Sequence, residues 1–188
     1  MIPMSDAREK PIIFSGLMVR AIIDGRKSQT RRVLKPQPIW ESEWEGYGEG
    51  CWVYTNRNDY CFPMAEYQHP IQPGDRLWVR EAFATDGVVV RYAATDDIHE
   101  LRKTKPSIHM PRWASRITLD VTEVRVQRLQ DISEEDARAE GVRGNASGPW
   151  GCEGVIEDFS DLWESIHGPG SWDANPWVAA ITFKRIKP

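Results

Sequence analysis

The chain has 188 residues, of which 40% are hydrophobic and 28% are charged, and its formal net charge at pH 7 is −4. This length fits one domain with a core of its own, and no stretch approaches the roughly 20 apolar residues that a membrane span needs. The three cysteines, Cys51, Cys61 and Cys152, argue against a disulfide framework and favour a reducing, cytoplasmic environment.

The first predicted elements are a short extended segment and a helix, which follow a polar leader at residues 1–11. The leader lacks a basic and an apolar region, so we predict no signal peptide. Residues 12–14 are expected to be extended. Ser15 is a suitable N-cap, and apolar residues then recur at spacings of three and four, which predicts a helix with one buried face. Gly25 stands where a glycine commonly ends a helix, and a strand is predicted at 30–34.

A basic turn, residues 25–32 with the sequence GRKSQTRR, connects this helix to the strand. The wider stretch 20–35 carries six cations against the single anion Asp24, although the whole chain is acidic. Such a local field attracts an anion, for example a nucleotide phosphate. The alternative is a solvated turn without a ligand, since runs of charge usually face water.

Two long insertions interrupt the predicted core, at about 36–72 and 95–115. The first is rich in proline, glycine and aromatic residues without a sustained period, so we predict turns and short hairpins. Its aromatic content favours an ordered accessory unit over a free linker. Strands are predicted at 77–82, after a Pro-Gly-Asp turn, and at 88–93.

The C-terminal part begins with a predicted long strand at 116–129. Its apolar residues change parity near Thr122, which indicates a β-bulge. Ser133 opens a capping-box pattern with an acidic first turn, so a short helix should follow and end at Gly141.

A third helix is expected at about 158–166, with Phe159, Leu162, Trp163 and Ile166 on its inner face, and a last strand at 177–186. Strands outnumber the three short helices. The expected fold class is therefore α+β, a small mixed β-barrel.

With its elements in this order, the chain resembles the ASCH family, whose domain is a PUA-like β-barrel. The resemblance rests on the basic turn, on the run PGDRLWVRE at 73–81, on SIHMPRWASR at 107–116 and on the terminal Phe-Lys-Arg strand. Both runs are similar to those of the larger ASCH proteins of bacteriophages and prophages. The resemblance leaves the two insertions unmatched and covers roughly residues 12–35, 71–93, 114–142 and 155–186.

The resemblance implies a catalytic lysine, threonine and glutamate, as in the small bacterial N4-acetylcytidine amidohydrolases of the family. Their Gly-Arg-Lys-Thr-x-Thr turn matches Lys27 and Thr30 here, and the glutamate of their acidic helix matches Glu140. The chain departs from the pattern at Ser28, where the family often has threonine. It also departs in its two insertions, which bear on the choice of substrate.

Hydrolysis of an amide needs a nucleophile, a base that takes its proton and an acid for the departing nitrogen. Thr30 is the candidate nucleophile, Lys27 the base and Glu140 the acid. Lys27 would need a lowered pKa, which burial and the neighbouring Arg26 and Arg31 would favour. The structural alternative is an ordinary ion pair between Lys27 and Glu140, with Thr30 as a plain strand residue.

The alternative function is a binding module for RNA or single-stranded nucleic acid, in one variant with ribonuclease activity. Arginines would then contact phosphates, and aromatic side chains would stack on bases. The candidate substrate-binding or phosphate-binding residues are Arg26, Arg31, Arg32, Arg80, Trp78 and Trp113.

The expected partner is a nucleoside or a short RNA. No association with a membrane is expected. A pI near 5.6 weighs against a long nucleic acid, whose binding needs many phosphate contacts. No cofactor is expected. A metal is not expected either, because Cys51, Cys61 and His69 lack the close ligand pair typical of structural zinc sites.

Overall fold

The structure, a computed structural model, describes residues 8–41, 51–55, 61–64, 67–96, 104–143 and 154–186. Within these ranges it contains three α-helices and ten β-strands, which confirms the α+β class. In chain order the elements are β1 (Glu9–Ile13), α1 (Gly16–Ile23), β2 (Gln29–Val33), β3 (Ile39–Glu41), β4 (Cys51–Thr55), β5 (Cys61–Pro63), β6 (Arg76–Arg80), β7 (Phe83–Thr85), β8 (Val90–Tyr92), β9 (Thr118–Arg128), α2 (Glu134–Ala139), α3 (Val155–His167) and β10 (Trp177–Ile186).

Five strands form the main sheet, in the order β1-β6-β9-β10-β2. β1 runs parallel to β6, and the other neighbours are antiparallel. Among the described residues the sheet keeps two edges, β1 and β2, so the expected barrel is not closed by a hydrogen-bonded ladder. A side chain links these edges instead, because Nη2 of Arg32 on β2 donates to the carbonyl of Ile13 on β1 at 2.6 Å.

The first strand begins at Glu9, inside the range 1–11 that the sequence suggests as a polar leader. Its five residues pair in register with β6, from Glu9 opposite Arg76 to Ile13 opposite Arg80. Backbone hydrogen bonds form this ladder, so the polar side chains of the segment do not prevent it.

The bulge predicted in the long strand lies at Thr122. Glu123 pairs with Thr182 and Val121 pairs with Phe183, so Thr122 lies opposite no residue of β10. The extra residue lets the apolar side chains on both sides of the bulge pack against one core, although they differ in parity.

Two hydrophobic clusters determine where the helices lie. The larger one packs α1 against one face of the main sheet, with Phe14, Phe183 and Leu77 among its fully buried members. The second joins α2 and α3 to β10. The alternating burial of β6 follows the prediction, with Leu77 and Val79 buried and their neighbours only partly so.

Two predictions for smaller elements need correction. The third helix begins at Val155, earlier than expected, and Ile166 is 51% exposed and not part of an inner face, because it lies in the last turn and borders a cleft. Strand β8 covers Val90–Tyr92 only, because the backbone N–H groups of Val88 and Val89 donate to Oδ1 of Asp86 in the preceding turn.

The described part of the first insertion forms a separate antiparallel sheet, β3-β4-β5. Its Trp52 ring packs edge-on against Trp177 of β10, with ring centroids 5.6 Å apart. The described part of the second insertion contains two short 3-10 helices, Ser107–His109 and Arg112–Ala114. None of the helices in the described ranges is both long enough and apolar enough to cross a membrane.

Candidate active site

The basic turn folds back onto the helix that precedes it. After α1, Gly25 has a φ of +76°, and the backbone N–H of Lys27 donates to the carbonyl of Ala21 at 3.0 Å. One residue later, the N–H of Ser28 donates to the carbonyl of Ala139 in α2 at 2.8 Å. The turn is therefore held between two helices, and the side chain of Lys27 is directed into the protein.

The acidic helix presents its C-cap residue to this turn. Ser133 caps α2, since its side chain accepts from the N–H of Asp136, and Glu140 follows as the C-cap. Gly141, with a φ of +95°, then turns the chain away. A side chain there would be crowded, because an added Cβ would lie 3.2 Å from the Cβ atoms of both Ala21 and Lys27.

The structure brings Lys27 and Glu140 into direct contact. Nζ of Lys27 lies 2.6 Å from Oε2 and 2.9 Å from the carbonyl oxygen of Glu140. The two side chains are 0% and 5% exposed. Burial lowers the pKa of Lys27, and the charge and hydrogen bond of Glu140 oppose that shift without cancelling it. A buried lysine with a lowered pKa is a suitable base.

Arg31 holds the other oxygen of the same carboxylate. Its Nη1 lies 3.2 Å from Oε1 of Glu140 and 2.6 Å from Oε1 of Gln29, and its Nη2 lies 2.7 Å from Oδ2 of Asp136. Asp136 also accepts from Arg125 at 3.0 Å. The side chain of Arg31 is 0% exposed and lies behind Glu140, so it orients the carboxylate.

Glu140 borders two adjoining spaces. The larger is a cleft of about 660 Å³ between α1, α3 and the chain that follows α2. The smaller, about 30 Å³, is lined by Thr30, Arg31 and Arg32 of β2 together with residues of α3. Both spaces share Met18, Leu162 and Ile166. Thr30 and Glu140 thus both line the smaller space, and Lys27, which lines neither space, contacts the Glu140 carboxylate.

The candidate binding residues divide between two places. Arg26 lines the cleft and Arg32 lines the small cavity. Arg80, Trp78 and Trp113 line neither space. Because side chains alternate along a strand, Trp78 and Arg80 lie on the face of β6 opposite the buried Leu77 and Val79.

That second place is an aromatic and cationic surface. The guanidinium carbons of Arg80 and Arg112 lie 5.4 and 6.0 Å from the ring centroid of Trp78. Trp113 is 67% exposed. The structure therefore separates these residues from the contact between Lys27 and Glu140.

Sequence reasoning missed several residues of the site. Gln29, Arg125 and Asp136 complete the network around Arg31. The sequence did contain a signal for Asp136. It lies four residues before Glu140, and residues four apart in a helix lie on the same face, so the two carboxylates could have been expected to lie side by side. Arg143, at the rim of the cleft, had no such signal.

Metal ligands do not gather in the described part of the chain, where no three His, Cys, Asp or Glu side chains are placed to hold an ion. The side chains of Cys51 and Cys61, and Cys152 as a whole, lie outside the described residues.

No family model matches the chain, and no curated protein matches its sequence. The structure is similar to that of a protein of the DUF984 family from Enterococcus faecalis, at 12% sequence identity and a TM-score of 0.46, over 97% of this chain and 82% of that one. It is also similar to an ASCH domain from Lactobacillus crispatus, at 10% identity and a TM-score of 0.44, over 95% of this chain and 79% of that one.

Proposed function

We propose that the chain is an amidohydrolase that removes the acyl group from the N4 nitrogen of N4-acetylcytidine-type nucleosides. The observation that carries the proposal is the buried contact of 2.6 Å between Lys27 and Glu140 at the edge of a cleft. Thr30, the candidate nucleophile, lines the space that adjoins this carboxylate. This arrangement supports the proposal, because acyl transfer requires a nucleophile, a base and an acid close to one another.

The pair of Lys27 and Glu140 can supply both the base and the acid. An ammonium beside a carboxylate and an amine beside a carboxylic acid differ only in the position of one proton between the two groups. Desolvation of Lys27 narrows the free-energy gap between these forms, because burial penalises its charge. The lowered pKa of Lys27 agrees with this direction.

The first half of the reaction transfers the acyl group to Thr30. Neutral Lys27 takes the proton of the Thr30 hydroxyl while its oxygen attacks the acyl carbon. Glu140 then gives its proton to the N4 nitrogen as the carbon–nitrogen bond breaks. This step releases cytidine and leaves an ester on Thr30, an ammonium on Lys27 and a carboxylate on Glu140.

The second half restores the enzyme. Water attacks the ester while the Glu140 carboxylate takes a proton from it, and Lys27 returns a proton to the departing Thr30 oxygen. Acetic acid leaves and gives its proton to the solvent to become acetate, and all three side chains regain their starting protonation states.

The direct test is to incubate the purified chain with N4-acetylcytidine and to quantify cytidine and acetate by chromatography. We expect the two products in equal amounts. Glu140→Gln preserves the size of the side chain but removes the acid, so we expect turnover to fall at least ~100-fold. A wild-type chain that leaves a panel of N4-acylated cytidines intact would contradict the proposal.

A second candidate function, binding of RNA or single-stranded nucleic acid, is favoured by the exposed Trp113 and by its sequence neighbour Arg112, whose guanidinium carbon lies 6.0 Å from the Trp78 ring centroid. An exposed indole next to cations can stack on a base. If this function applies, Trp113→Ala should weaken a salt-sensitive affinity for short RNA, whereas Lys27→Arg should leave that affinity unchanged.

A further inference from the structure

We propose that the cleft binds a phosphorylated nucleoside, with the base between α1 and α3 and the phosphate at an arginine rim. The arginine rim consists of Arg20, Arg26 and Arg143, which all line the cleft. This inference takes from the proposed function the identity of the cleft as the nucleoside site, and it specifies the class of substrate.

The arginine rim carries an excess of positive charge. Two carboxylates also line the cleft, Asp24 and Glu140. Asp24 pairs with Arg26 at 2.9 Å, and Glu140 is held by the two buried cations behind it. Among the described residues no carboxylate pairs with Arg20 or Arg143.

The excess belongs to this cleft and not to the chain as a whole. The net charge of the protein is −4, so a local surplus of arginine is a departure from its average surface. A neutral nucleoside gains nothing from such a field, whereas a phosphate group is attracted to it and can accept hydrogen bonds from guanidinium groups.

Two of the arginines that the sequence suggested for phosphate binding, Arg31 and Arg32, are engaged elsewhere. Arg31 is fully buried in the network around Glu140, and Arg32 donates to the carbonyl of Ile13 on β1. Arg20 also donates to a backbone carbonyl, that of Ala94 at 2.8 Å, but a carbonyl does not neutralise its charge. The arginine rim is therefore the cationic surface that the cleft itself offers.

The walls of the cleft suit a flat ring. Leu17 of α1 is 69% exposed and Ile166 of α3 is 51% exposed, and both line the cleft. Exposed apolar side chains that line one cleft are typical of a binding site. The volume of about 660 Å³ fits a small molecule, and the acidity of the chain disfavours a long polyanion. We therefore assign a mononucleotide to the cleft.

Calorimetric titration tests this assignment with four probes: cytidine, cytidine monophosphate, inorganic phosphate and a cytidylate trinucleotide. We expect the monophosphate to bind at least ~10-fold more tightly than cytidine at low salt, and the ratio to fall as salt screens the arginine rim. Arg143→Gln should reduce that ratio about 5-fold. The control is Arg91→Gln, an exposed arginine of β8 that does not line the cleft, and it should leave the ratio unchanged.

Three results would overturn the inference. The first is equal affinity for cytidine and its monophosphate. In the second, inorganic phosphate binds as tightly as the monophosphate, which would indicate an adventitious ion only. In the third, a trinucleotide binds at least ~10-fold more tightly than the monophosphate, which would show that the cleft binds an oligonucleotide and not a mononucleotide.

The same titrations separate this inference from the proposed hydrolysis, because binding of the monophosphate requires no turnover. A chain that prefers the monophosphate but cleaves no N4-acylated cytidine, with or without a phosphate, keeps the inference and loses the proposed function. A chain that cleaves N4-acetylcytidine but shows no preference for phosphate loses the inference alone.

Discussion

Glu140 lies between two cations with fully buried side chains, Lys27 and Arg31, and its carboxylate contacts both. Burying a charge is costly unless a partner of opposite sign compensates it. The carboxylate therefore stabilises the fold in addition to its role in the proposed chemistry. Variants of this site must therefore be compared at matched stability, and side chains of equal volume are the more informative replacements.

At Thr30 the hydroxyl can be removed without changing the volume. If Thr30 is the nucleophile, Thr30→Val should reduce hydrolysis of N4-acetylcytidine at least ~100-fold, and Thr30→Ser should retain measurable turnover. Lys27→Ala and Lys27→Arg should both abolish hydrolysis. Alanine removes the base, and a guanidinium keeps the charge but does not lose a proton near neutral pH. Steady-state rates check this, and a Lys27→Arg variant as active as wild type would exclude Lys27 as the base.

At Asp136 the stability of the network depends on pH. Burial raises the pKa of its carboxyl, but the hydrogen bond from Gln29 and the charges of Arg31 and Arg125 outweigh that effect and leave the pKa below its usual value. Its contribution to stability is therefore complete above the unfolded pKa of about 3.9 and is lost as the pH falls through the lower folded-state pKa.

We accordingly expect Asp136→Asn to reduce the free energy of unfolding by about 1–2 kcal/mol at pH 7, less than for a fully buried ion pair because Asp136 and Arg125 are partly exposed to solvent. The difference from wild type should shrink as the pH approaches 2. Denaturant unfolding across this range measures it. The matched control on the same helix is Glu134→Gln, an exposed partner of Arg138, which should cost less than about 1 kcal/mol at any pH. A deficit that stays constant down to pH 2 would show that charge is not its cause.

At the scale of elements, the ends of α1 and α2 pack against each other at Gly141. Its φ of +95° disfavours any side chain, and an added Cβ would also come within 3.2 Å of Ala21 and of Lys27. Gly74 has a similar φ of +90°, but an added Cβ would meet nothing within 4 Å. A substitution at Gly74 therefore tests the backbone strain alone, whereas a substitution at Gly141 tests the strain together with the close contact of the added Cβ.

We expect Gly74→Ala to reduce the free energy of unfolding by about 1–2 kcal/mol, the cost of the left-handed conformation alone. Gly141→Ala should cost at least about 1 kcal/mol more, because the close contact adds to the strain. Urea denaturation of both variants provides the comparison. Equal losses in the two variants would mean that the contact between the helix ends relaxes freely.

At the scale of the whole molecule, the small sheet β3-β4-β5 is joined to the main sheet by side chains. Trp52 packs against Trp177, and the guanidinium carbon of Arg128 lies 4.4 and 4.9 Å from the two ring centroids. Gln37 adds a reciprocal link, since its Nε2 donates to the carbonyl of Trp177 and its Oε1 accepts from the Trp177 N–H. These contacts support the expectation of an ordered accessory unit.

Trp52→Ala should therefore release the small sheet and leave the main core folded. We expect protease cleavage within β3, β4 and β5 to accelerate at least ~10-fold, because loss of a packed indole lowers the local opening free energy by roughly 1.4 kcal/mol or more. Trp113→Ala, at an exposed indole on another surface, serves as the control and should leave the cleavage unchanged. Rapid cleavage throughout this segment in the wild-type chain would contradict an ordered unit.

By itself, the sequence determined the local features of this protein. The Ser15 and Ser133 caps, the turns at Gly25 and Gly141 and the bulge at Thr122 all lie where the sequence indicates them. Each depends on residues only a few positions apart, whose propensities and parity are visible in one dimension. Glu140, in contrast, was singled out through the resemblance to a family and not from spacing.

Tertiary structure alone decided which of these features meet. Lys27 and Glu140 are 113 residues apart, and the contact arises because the turn after α1 packs against the end of α2. The same packing buries Arg31 in a polar network. Arg80, in contrast, lies on another face of the protein, because side chains alternate between the two faces of β6. Runs of basic and aromatic residues indicate that a charge or a ring is present. They do not indicate its neighbour, because strand order and helix packing depend on contacts between distant segments of the chain.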